Sequence, residues 1–203
     1  MTLVRSALKI ILAGVLGGSA AFPLRAPDFR HCSEERLAPA RPLFGHADTV
    51  SMFIIGDVML HERQMSYSYG PFLEHISGRM KAADITVANM EFPLGGKPYS
   101  GYPAFSAPDE YACYINSCGA NVFLAANNHI LDKGYTGIER TIHVYDSLEA
   151  AGAIRYAGIS ADSLDNAGRY PLIVNVRGVR IALLNFTYGT NNPVKRGKWP
   201  KVN

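Results

Sequence analysis

Six side chains in this sequence have the types and spacing to do chemistry together: Asp57, His61, Glu91, Asn128, His129 and Asp132. They follow three apolar stretches. Ser51-Met-Phe-Ile-Ile-Gly56 runs into Asp57, with His61 just beyond. Ile85-Thr-Val-Ala88 runs into Asn89-Met90-Glu91. Val122-Phe-Leu-Ala-Ala126 runs into Asn127-Asn128-His129, and Asp132 follows in the same loop. Carboxylate, amide oxygen and imidazole side by side make a ligand set for one or two divalent cations, with Mn, Fe or Zn suited better than copper. A neighbouring imidazole can supply a proton or a hydrogen bond to a reacting group.

Each residue also has a plainer reading. Asp57 can cap a helix or brace a turn, and His61 can be polar surface. Glu91 is a poor turn former, and Pro93 holds Phe92 extended, so Glu91 belongs to extended or turning chain. Two amides and an imidazole after an apolar strand are costly unless hydrogen-bonded or bound to something, and a cap accounts for only one of the three. Asp132 can accept the second ring N–H of His129, as carboxylates around metal sites do, or it can cap the helix near Gly137. The coincidence at three separate strand ends favours one shared metal site.

Such a site needs the strand ends to meet, and a parallel α/β sheet gathers them at one edge. The apolar patterns predict strands over 49–56, 84–88, 121–126 and 153–157, alternating with helices over 71–82, 108–119 and 137–151. Residues 95–107, rich in Gly, Pro and Tyr, read as a loop with short pairing around 102–105. Two later strands, 170–176 and 179–186, flank Arg177-Gly178, a two-residue hairpin connection. The expected fold class is therefore α/β, a mainly parallel sheet with flanking helices and a C-terminal β-hairpin, in one domain spanning 48–190.

Outside that domain the sequence changes character. Arg5 and Lys9 precede an apolar run ending in small residues near Ala21. That order predicts a signal peptide or N-terminal anchor over 1–22, and export to the cell envelope; the run is short for a membrane span, which needs about 20 residues. A proline-punctuated linker follows over 23–47. Loss of the leader lowers the formal charge from +3 to +1, so charge gives no reason to expect a nucleic-acid partner. Lys195, Arg196, Lys198 and Lys201 read as a solvated basic tail over 191–203. Cys113 and Cys118 lie five residues apart on one helix, thiols pointing apart, and read as buried small hydrophobes rather than a disulfide or zinc pair.

Gly56-Asp57-Val-Met-Leu-His61, Asn89-Met-Glu91-Phe-Pro93 and Asn127-Asn128-His129-Ile-Leu-Asp132-Lys-Gly134, in that order, resemble the CapA family, named for capsule and poly-gamma-glutamate synthesis. That family looks like a branch of the calcineurin-like metallophosphoesterase superfamily. The resemblance covers roughly 49–188. It implies a metallophosphatase-like sandwich with Asp57 and Glu91 as metal carboxylates, Asn128 on metal, His61 as a further ligand position and His129 near the reacting group. The family's later histidine motifs do not follow Tyr188, so the chain resembles the N-terminal half of a member. A site so shortened is expected to hold metal weakly.

The expected function is an exported, metal-dependent hydrolase-like protein of capsule or poly-gamma-glutamate biosynthesis. Its substrate would be an anionic polymer or a phosphoester, and its setting a membrane-bound polymer-synthesis complex. The competing expectations are a non-catalytic envelope component that assists polymer assembly or export, and a purely structural domain.

Overall fold

The computed structural model describes residues 49–203; the expected leader and linker lie outside the described residues. Four strands form a parallel sheet in the order of the chain: β1 (Met52–Val58), β2 (Ile85–Met90), β3 (Val122–Leu124) and β4 (Arg155–Ala157). Between them run α1 (Glu74–Ala82), α2 (Asp109–Ser117) and α3 (Gly134–Ala150). Right-handed crossovers between adjacent parallel strands put successive helices on the same face. The larger core lies on that face, where Met80, Ile115, Tyr145 and Leu148 pack with Met90 and Phe123.

The other face of the sheet is covered by β6 (Leu172–Val176) and β7 (Val179–Leu183), an antiparallel hairpin. Leu172 and Val174 pack there against Ile85, Val87 and Val122. The connecting Arg177 and Gly178 both have positive φ, 51° and 83°, as the tight hairpin turn requires. Strand β2 is thus sandwiched on both sides, which is why Ile85-Thr-Val-Ala88 reads as an unbroken apolar run rather than an alternating one.

The expected α/β order holds, with shifted ends. Helix α3 starts at Gly134, not near residue 137, and buries Ile138, Ile142, Tyr145 and Leu148 along one stripe. Helix α2 stops where expected because Gly119 has φ +120°, and a Cβ there would sit 2.7 Å from the Lys81 nitrogen. The pairing expected within residues 95–107 is one bridge, Ser100 to Ser106.

Three elements were not anticipated. Strands β5 (Ile159–Ser160) and β8 (Lys201–Val202) pair antiparallel, each too short to show a pattern. Helix α4 (Ser163–Arg169) is capped by Asp162, whose carboxylate accepts from the Leu164 and Asp165 N–H groups.

Two sequence readings need correction. Residues 191–203 are not a free tail. Asn192 Nδ2 donates to the Leu131 carbonyl at 2.8 Å, the Lys195 N–H donates to the Tyr135 hydroxyl, Lys198 lies over the Tyr135 ring, and Pro200 is buried. Charge alone suggested solvation, but aromatic and backbone anchors decide the path. Cys118 is free and buried as expected, whereas Cys113 is half-buried and disulfide-bonded. The five-residue offset argued only against a bond between those two. No helix among the described residues is long and apolar enough to cross a membrane.

Candidate metal and histidine site

The ends of β1 and β2 bring the first two expected ligands together. The ladder between them slips between Ile55 and Asp57, so that Asp57 stands opposite Asn89. A bulge of this kind re-aims a side chain at a strand end. Asn89 and Glu91, two residues apart, share a side of the extended chain. Asn89 Nδ2 donates to Asp57 Oδ1 at 2.7 Å and reaches Glu91 Oε2 at 3.4 Å. Glu91 is 8% exposed, and its carboxyl pKa is pushed up to about 7, first by burial, then by its hydrogen bond to Asp57 and the Asp57 charge. Among the described residues no Lys or Arg makes an ion pair with either carboxyl.

The loop after β3 brings the third motif to the same edge. Asn185 Oδ1 accepts from the Ala125 and Ala126 N–H groups at 3.0 and 2.7 Å and fixes where β3 ends. Gly158 leaves room for it, since a Cβ there would collide with that oxygen. Asn127 then ties the loop to β2. Its Nδ2 donates to the Met90 carbonyl at 2.9 Å and approaches Asn89 Oδ1 at 3.4 Å, while its Oδ1 accepts the His129 N–H at 3.1 Å.

His129 and Asp132 are buried, and Asp132 Oδ2 sits 2.7 Å from His129 Nδ1. The same oxygen accepts the Phe105 N–H at 2.8 Å. Asp132 therefore orients the histidine. It does not cap α3, whose N-cap position is Lys133 and has no side-chain cap bond.

The remaining two expected residues make no hydrogen bond to the carboxyl pair. His61 is exposed and meets the edge of the Phe105 ring, centroids 5.2 Å apart; His129 meets the same ring at 4.7 Å. Asn128 is exposed, and its Nδ2 points to Asn191 Oδ1 at 3.4 Å. The hydrogen bonds pair Asp57 and Glu91 through Asn89 and His129 with Asp132, and the charges of His129 and Asp132 reach Glu91. Sequence reasoning left Asn89, Asn127, Phe105 and Asn191 off the site. The first two lay inside the motifs, and the i, i+2 spacing of Asn89 and Glu91 was the available signal for one of them. Nothing local points from Phe105 or Asn191 to His129.

A divalent cation could be held by the carboxyls of Asp57 and Glu91 with amide oxygen nearby. Two acids in contact, offset only in part by the charge of His129, fit such an ion, because it would neutralise both. Among the described residues no three His, Cys, Asp or Glu side chains are grouped to hold one. The geometry accounts for this. His129 Nδ1 is committed to Asp132, His61 packs on Phe105, and Asp132 is already hydrogen-bonded.

A parallel sheet with helices on one face, a hairpin on the other and a polar cluster at its strand ends defines an α/β sandwich of the metallophosphatase-like type. Residues 51–203 match the family described as bacterial capsule synthesis protein PGA_cap, and the chain belongs to that family. It is 27% identical over 163 residues to the capsule biosynthesis protein CapA of Bacillus anthracis, covering 75% of this chain and 38% of that protein. It is 31% identical over 147 residues to the uncharacterized proteins y4sH and y4uA of Sinorhizobium fredii, covering 68% of this chain and 30% of each. The chain spans less than two fifths of the length of these curated relatives.

Proposed function

We propose that this chain is an exported, CapA-like cell-envelope protein of capsule biosynthesis that carries a metal-dependent, phosphoesterase-like site. Asp57 and Glu91 hold the ion, Asn128 adds an amide oxygen from the rim, and His129 faces the reacting group. The observation that carries the reading is the contact of Asp57 with Glu91 at adjacent strand ends, with no Lys or Arg ion-paired to either among the described residues. Export is supported by the disulfide at Cys113, a bond that persists in oxidising compartments, and by the leader-like order of the first residues. The substrate on this reading is an anionic polymer of the poly-gamma-glutamate type or a phosphoester, met at a membrane-bound synthesis complex.

When bound, the ion would offset negative charge developing on the substrate and lower the pKa of a water. The protein's own part is positional. Asn89 spaces the carboxyls, Asn127 locks the histidine loop to β2, and Asp132 holds the His129 ring so that its outer nitrogen can give or take a proton.

The test is metal uptake by the full chain, read by elemental analysis after equilibration with Mn or Zn, together with hydrolysis of a chromogenic phosphodiester. Asp57→Ala and Glu91→Gln are each expected to weaken binding about tenfold or more. His129→Ala is expected to keep the metal and lower turnover about a hundredfold. Equal uptake by the wild type and both carboxyl variants overturns the site. The commitment of Asn128 Nδ2 to Asn191 and of His129 Nδ1 to Asp132 favours a second reading, a non-catalytic component that assists polymer assembly or export. Metal binding without turnover would select it.

A further inference from the structure

The charges of this chain are segregated. From residue 166 onward there are seven Lys and Arg side chains and no Asp or Glu. Arg169 and Arg177 pair with carboxylates. Arg180, Lys195, Arg196, Lys198 and Lys201 are exposed and make no ion pair among the described residues. Such cations hold a positive surface potential that a small net charge conceals.

The same stretch carries apolar side chains that the fold leaves uncovered. Beyond β7 inward and outward residues continue to alternate. Asn185 is held against Ala125 and Ala126, and the Thr187 N–H donates to the Asn203 carbonyl at 3.0 Å. Leu184, Phe186 and Tyr188 therefore face outward, on the side that Arg180 also takes. Leu184 is 59% and Phe186 56% exposed, and Tyr188 is fully so. Tyr170 leans on Phe186, ring centroids 5.3 Å apart, and is itself exposed. The bond from Thr187 to Asn203 sets this apolar row beside β8 and its exposed Lys201. Between the row and the basic run the chain passes the candidate site, where Asn191 Nδ2 reaches Asp132 Oδ1 at 3.2 Å. Trp199, the only tryptophan of the chain, is half-buried within the basic run, with Lys201 Nζ 6.0 Å from the centre of its ring.

We propose that this face docks on an anionic lipid bilayer, its cations over the headgroups and Leu184, Phe186 and Tyr188 entering the interface. The two chemistries together choose the occupant. A soluble polyanion would meet the cations and leave the apolar row wet. A second copy of the chain would cover the row but set cations against cations across a two-fold axis. A bilayer meets both, since anionic headgroups attract basic segments and aromatic side chains favour the membrane interface. Neither signal alone gives stable attachment, and two together do. Docking would keep the candidate site at the bilayer surface. It goes beyond the function proposed above and needs neither its metal nor its substrate.

Vesicle partitioning of the full chain tests this, with phosphatidylcholine alone or with about a quarter phosphatidylglycerol. The wild type is expected to bind the anionic vesicles about tenfold or more tighter than the neutral ones, and to lose most of that margin at about 1 M salt, where the Debye length is about 3 Å. Brominated acyl chains in the anionic vesicles are expected to quench Trp199. Lys195→Gln with Arg196→Gln, and Phe186→Ser with Tyr188→Ser, are each expected to weaken binding about tenfold. All four side chains are exposed, and any attachment through the first residues is common to wild type and variants, so it cancels. Equal partitioning of the wild type and both double variants overturns the proposal, as does an unquenched Trp199. Binding of soluble polyglutamate without a preference for anionic vesicles also overturns it and assigns the face to a free polyanion. Self-association abolished by Phe186→Ser with Tyr188→Ser, with partitioning unchanged, overturns it in favour of a second copy.

Discussion

Around Arg169 three carboxylates share one guanidinium: Asp146 at 2.8 Å, Glu149 at 2.7 Å and Asp165 in the same helix turn. The guanidinium also lies 3.8 Å from the centre of the Tyr156 ring, and Arg155 gives Glu149 a second partner. At the ends of β1 and β2, by contrast, Asp57 and Glu91 have each other and an amide. The first cluster gives every carboxylate a guanidinium partner and ties α3 to α4. The second leaves its charge open. Acidic side chains gathered without a base cost stability unless something else meets them, so the open pair is where the proposed ligand would act, while the closed cluster joins two helices.

Three experiments sharpen or break that contrast. The largest effect is expected from Arg169→Ala, which leaves Asp146 and Asp165 without a cation, halves the pairing of Glu149 and removes the stacked cation; urea unfolding should show a loss of about 2–3 kcal/mol. A loss no larger than that of a surface lysine would make the joint incidental. The second experiment is the pH dependence of stability. The folded Glu91 pKa of about 7 lies above its ordinary 4.5, so between those values the folded state holds a proton that the unfolded chain has released. Its stabilising contribution is full below the lower value and is lost as pH rises through the upper one. Denaturation midpoints should fall across that window in the wild type more than in Glu91→Gln, and a saturating divalent cation should flatten the wild-type slope. Identical slopes in the two proteins would place no open charge at Glu91. The smallest effect is expected from Asp165→Asn, which leaves Arg169 two other partners; about 0.5 kcal/mol, fading with salt, is the scale of a half-exposed pair.

The strand ends were legible because a buried strand followed by ligand-type residues is a pattern within one short window, and three such windows added up. Asp57, Glu91 and His129 were found this way. Asp132 had two readings that sequence could not separate, and the 2.7 Å contact separates them. Asn191 was out of reach, since its place depends on Pro200 and β8 returning the chain to the domain, and two-residue strands leave no periodic trace. The Asp162 cap before α4 was visible as Asp-Ser-Leu-Asp and was passed over because that helix has no buried face. The basic residues of the last stretch are exposed, as charge suggested, but the stretch is not a free tail, because counting charges ignores tyrosines that a lysine can lie across.

Phe105 carries a consequence of its own. Its ring is fully enclosed, its N–H is fixed by Asp132, and an imidazole leans on it from each of two directions. The ring is a packing surface shared by a solvent-facing histidine and a hidden one. Trimming it to a smaller side chain would take away one wall from each imidazole at once.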